Sequence, residues 1–144
     1  MSTFIVWLDA SVDLPVSSFR GKLSEYKWVQ FFSKSNDCID YIKTHLVQTI
    51  FLIVSGSFAE NVVSQVNEYN NVKQIFVFCA SIASHTHWAI NYTDRLFMFD
   101  HEDDLLERLW REVEEHFRNL AQQCLQQAEE AKTRANQYKQ PSCG

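Results

Sequence analysis

Five short apolar runs, each followed by residues at helical spacing, constrain this chain more than any other feature. They occupy residues 4–8, 28–32, 50–54, 75–79 and 96–99. Each is strand-sized and far short of the roughly 20 residues a bilayer-spanning helix needs, so no membrane segment is expected. Residues 50–54 (Ile-Phe-Leu-Ile-Val) are unbroken and rich in branched side chains, the pattern of a strand covered on both faces. Between the runs, apolar residues recur every three or four positions. Val16, Phe19, Leu23 and Tyr26 follow Pro15; Cys38, Ile39, Ile42 and Leu46 follow Ser35-Asn36-Asp37. Val62, Val63, Val66 and Tyr69 follow Ser57-Phe-Ala-Glu60, which has the form of a capping box. A further short helix is expected between Ile82 and Ile90. Strands alternating with helices at this spacing predict a parallel α/β sheet.

Composition agrees with long regular elements joined by short loops: 144 residues hold only 3 Gly and 2 Pro. Eleven Phe, 4 Trp and 5 Tyr supply rings enough for a core without disulfide or metal staples. With 13 Lys and Arg against 18 Asp and Glu, the net charge of −5 argues against nucleic acid as a partner. The first residues lack the basic and long apolar regions of a signal peptide, and the Asn91-Tyr92-Thr93 sequon then reads as accidental; a cytoplasmic location is expected. Cys38, Cys79, Cys124 and Cys143 form no CxxC pair. The first three fall at apolar-periodic positions, so they are expected to be reduced core thiols.

The last third is different. From residue 103 to about 138 there is no Gly or Pro, and one stripe runs through Leu106, Leu109, Val113, Phe117, Leu120, Cys124, Ala128, Ala131 and Ala135. Its steps of 3, 4 and 4 make an eleven-residue repeat, which keeps the stripe on one side of a nearly straight helix. The bulky first half should dock on the sheet. The thin second half, set among Gln and Glu, should project as a connector toward another module or as a face for weak self-association. The division expected is a domain over residues 1–120 and a helix with its tail over 121–144.

In an open parallel sheet, functional groups collect beyond the carboxyl ends of the strands. Here those ends offer Asp9, Ser55, the stretch from Cys79 to Ser81, and Asp100, with Ser57 close behind Ser55. A hydrophobic strand ending in an acid, five βα units and a terminal helix resemble the receiver domain of response regulators, over about residues 3–120. The resemblance implies a flavodoxin-like fold, a five-stranded parallel sheet ordered 2-1-3-4-5 with an extended C-terminal helix. A working receiver also carries an acidic pair after its first strand, a phosphoacceptor Asp after its third, a hydroxyl after its fourth and a Lys after its fifth. This chain has Asp9 followed by Ala10, Ser55 in place of the acceptor, Ala80 or Ser81 near the hydroxyl position, and Asp100 in place of the Lys. Aspartyl phosphorylation requires a carboxylate nucleophile and a bound metal, so what the chain resembles is a degenerate pseudo-receiver. The phrases Ile5-Val-Trp-Leu-Asp9, Leu52-Ile-Val-Ser-Gly56 and Ile75-Phe-Val-Phe-Cys79 are also similar to those of uncharacterised N-terminal domains in multidomain invertebrate proteins. That likeness implies the regulatory part of a larger protein.

Other chemistry is weakly signalled. Ser55-Gly56-Ser57 could cradle an anion at a helix start, but it matches no phosphate-loop motif, and a tight turn with Ser57 as N-cap is the simpler expectation. His85 and His87 stand two apart, which on a helix points them in different directions, and no third metal ligand is evident. Cys79 lacks the Cys-x5-Arg loop of a phosphatase, since position 85 is His, so a buried strand-end thiol is expected. Asp9 and Asp100 are too few to hold Mg²⁺. No cofactor and no metal are therefore expected. Between Asp100 and Glu115 there are 8 acids and 2 bases. Acids suit a helix start, and Glu102, Asp103, Asp104, Glu112 and Glu115 make a solvated acidic face or a docking surface for a basic partner. The expectation is a non-catalytic signalling or scaffolding module acting through protein contacts. Two alternatives stand beside it: a small-molecule or nucleotide-handling hydrolase using Asp9, Ser55 and Asp100, and a structural oligomerisation unit carried by the last helix.

Overall fold

The computed structural model describes residues 3–10 and 28–139. Among them, β1 (Thr3–Leu8), β2 (Val29–Phe32), β3 (Thr49–Ser55), β4 (Val72–Phe78) and β5 (Leu96–Phe99) form one sheet in the order 2-1-3-4-5. Every neighbouring pair is parallel, so the parallel α/β sheet expected from the alternation, and the flavodoxin-like fold that the resemblance implies, are what is found. The helices are α1 (Ser35–Thr44), α2 (Gly56–Val66), a short α3 (Thr86–Ala89) flanked by 3₁₀ turns, and α4 (Glu102–Tyr138). The helix expected around Val16, Phe19, Leu23 and Tyr26 lies outside the described residues, as does Cys143.

The unbroken run of β3 explains its place. Residues 50 to 54 are all fully buried, because β3 is the central strand and both of its faces are covered. Val6, Leu8, Ile50, Leu52, Val54, Ile75 and Val77 share one face, and Cys38, Ile39 and Ile42 of α1 and Ala59, Val62, Val63 and Val66 of α2 pack with them. The opposite face carries Ile5, Trp7, Phe51, Ile53 and Phe76, all buried. There the Arg108 guanidinium of α4 sits 4.1 Å from the centre of the Phe97 ring, and Leu105 and Leu109 on the same turns are fully buried.

Two polar side chains clamp the loops at the amino-terminal edge of the sheet. The Asn71 amide donates to the carbonyls of Ile42 (2.9 Å) and His45 (3.1 Å), tying the end of α1 to the start of β4. The Arg95 guanidinium donates to the carbonyls of Asn67 (2.6 Å), Tyr69 (3.0 Å) and Val72 (2.6 Å), fixing the α2–β4 turn to the start of β5.

Several local expectations are corrected. Leu46 is not on the inner face of α1: the helix stops at Thr44 and Leu46 is 59% exposed. The His45 amide bonds back to Ile42 and the Gln48 amide to His45, so the chain has already turned out of helical register. Ser57-Phe-Ala-Glu60 does not act as a capping box. Ser55 stays extended because it still pairs with Phe78 at the end of β3, and α2 therefore starts at Gly56 with Ser55 as its N-cap and no side-chain cap. Ser57 falls in the first turn, its hydroxyl 3.4 Å from that of Ser55.

The chain divides into two compact units, residues 1–109 and 110–144, with α4 running on through the division. The stripe on α4 is buried at Leu106, Leu109 and Val113, but Phe117 is already 45% exposed and Cys124 is exposed. Cys124 is therefore not a core thiol. Eleven-residue periodicity keeps residues on one side of a helix, and it does not show how far along the helix that side is covered. His116 is buried although it stands off the stripe.

Candidate functional site

Because Ser55 pairs with Phe78, β3 and β4 end side by side, and the residues that leave them, Gly56 and Cys79, are forced together. A Cβ placed on Gly56 would lie 2.9 Å from the Cys79 Cβ and 3.1 Å from the His85 Nε2. The backbone of Gly56 is not left-handed, so close approach alone demands glycine here. The nearer atom belongs to a residue fixed by the Cys79 amide donating to the Phe99 carbonyl at 2.9 Å, and it has no room to retreat. Gly56→Ala should cost about 1–3 kcal/mol, read as a lower melting temperature, and an unchanged melting temperature would refute the packing described.

An open depression of about 350 Å³ lies over this junction, lined by Gly56, Ser57, Cys79, Ser81, Ser84 and His85 together with Phe78 and Ala80. The His85 ring is oriented by Trp88, whose Nε1–H donates to His85 Nδ1 at 3.1 Å. An indole nitrogen can only donate, so Nδ1 keeps its lone pair and the neutral ring carries its proton on Nε2, the atom nearest Gly56. His85 thus offers a hydrogen-bond donor to the depression and no base.

The Cys79 thiol is not activated either. Burial pushes its thiol above the ordinary value, the Asp100 carboxylate pushes it further the same way, and a hydrogen bond from the Ser81 amide opposes them. At neutral pH the sulfur is held as a thiol, and no proton acceptor on His85 faces it. What the depression provides is donation: the Nε2–H, the hydroxyls of Ser57 and Ser81, and the first-turn amides of α2, which a helix cannot satisfy internally, while the Ser84 hydroxyl donates to the Ser81 carbonyl at 2.9 Å.

The structure brings together only part of the group expected at the strand ends. Ser57 and Ser81 line the depression, and Ser55 touches it through the Ser57 hydroxyl. Asp9 and Asp100 lie outside its lining. Asp9 is half-buried beyond the end of β1, its amide bonded to the Phe32 carbonyl at 2.9 Å. Asp100 lies 3.8 Å from His101 and bears on Cys79 only through its charge. His85 and His87 diverge, His87 reaching toward Glu60 at 4.0 Å. Among the described residues no three His, Cys, Asp or Glu side chains cluster as a metal site. On α4, Asp103, Asp104 and Glu115 are exposed and Glu102 and Glu112 partly so. The pairing of His85 with Trp88 was missed in the sequence, where its only signal is the three-residue spacing.

The thiols order themselves by burial. Cys38 is fully buried and its thiol is pushed up to about 12; Cys79 is 7% exposed; Cys124 is exposed. With iodoacetamide at neutral pH, Cys124 should label at once and Cys38 and Cys79 only on the timescale of opening, as read by peptide mass spectrometry. Fast labelling of Cys79 would reinstate it as a reactive thiol.

No family model, no curated protein and no solved structure matches the chain.

Proposed function

We propose that this chain is a non-catalytic signalling or scaffolding module, a pseudo-receiver that works through protein contacts as the regulatory part of a larger protein. The observation that carries the reading is the outer length of α4. Residues 121–139 are all exposed, with Leu125 at 67% and Tyr138 at 91%. In proteins most helical stability comes from packing of one face, and here large side chains such as Leu125 and Tyr138 are left uncovered. A partner protein supplies that packing, and a second copy of the chain is one partner the helix suits.

The strand ends support the same reading from the other side. Ser55 stands where a receiver needs its carboxylate, Asp9 and Asp100 do not share the depression, and neither Cys79 nor His85 is prepared for attack or proton abstraction. The test is exposure to acetyl phosphate with Mg²⁺, and to a panel of phosphate and carboxylic esters. No stable phosphoryl adduct and no turnover are expected. An acyl phosphate seen by mass spectrometry, or a hydrolytic activity abolished by Ser57→Ala, would overturn the proposal in favour of the hydrolase alternative.

A further inference from the structure

We draw no further inference here: the strongest candidate, the depression of about 350 Å³ over the Gly56–Cys79 junction, belongs to the site already described, and beside the first turn of α2 it offers only a half-buried His85 already held by Trp88, so nothing in the structure shows what would fill it.

Discussion

Phe51→Ala is expected to lower the free energy of unfolding by about 3–5 kcal/mol. Phe51 sits in the middle of the central strand, aligned with Ile5 of β1 and Gln74 of β4, and is fully buried. Removing the ring forfeits its burial and leaves a hole among Ile5, Ile53 and Phe76, residues whose strands are held in place by hydrogen-bonded ladders on either side. The hole cannot close without breaking those ladders, so the cavity term is added to the transfer term. Against a typical domain stability of about 5–15 kcal/mol, this is enough to unfold much of the population. Guanidinium denaturation should show a lower midpoint with little change in slope. A loss below about 1 kcal/mol would mean that the two-sided burial of β3 is misdescribed.

Arg95→Leu is expected to cost about 2–3 kcal/mol, an effect that no apolar contact can replace. The guanidinium serves three carbonyls, those of Asn67, Tyr69 and Val72, which approach from different residues of one turn. Leucine fills some of the space but takes away the side-chain donor of the Val72 carbonyl, in a partly buried setting, and leaves the Tyr69 carbonyl with only the Val72 amide at 3.3 Å. Arg95→Lys should recover less than half of the loss, because one ammonium cannot span the directions a planar fork spans. The measurements are the melting temperature of each variant and amide exchange over residues 67–72. Exchange there should accelerate in both variants more than in β3. Uniform acceleration would assign Arg95 a global role and contradict the local clamp.

Which features could be read from residues alone follows from range. The five strands and the extent of α4 are set by runs and periodicities contained within the elements, so residues 50–54 or the Gly- and Pro-free stretch from 103 onward announce themselves. Where a feature depends on a neighbour distant in sequence, the residues are silent. Ser57 has the right spacing to Glu60 for a cap, yet the helix starts two residues earlier, with Ser55, the last residue paired in β3, as its N-cap. Leu46 continues the period of α1 in sequence after the helix has ended. Cys124 has the phase of a core residue at a point where nothing in the chain covers it. Arg95 looks like any loop arginine, because the carbonyls it serves lie 23 to 28 residues upstream. At the strand ends, Ser57 and Ser81 were legible as hydroxyl residues just beyond the ends of β3 and β4. His85 entered as half of a weak metal motif, and only the three-dimensional packing of Gly56 against Cys79 puts its ring at the depression.

The two outermost strands, β2 and β5, are four residues long, against six or seven for the three between them. Unpaired backbone groups at a sheet margin are a template for further strands, and a margin this brief presents few of them. A protein this rich in β-branched and aromatic runs would otherwise be prone to stacking edge on edge into fibrous aggregates. Neither can a partner's extended peptide gain much by lengthening the sheet, a mode that depends on a long run of main-chain bonds. Strand addition at either margin would thus gain at most a few main-chain bonds.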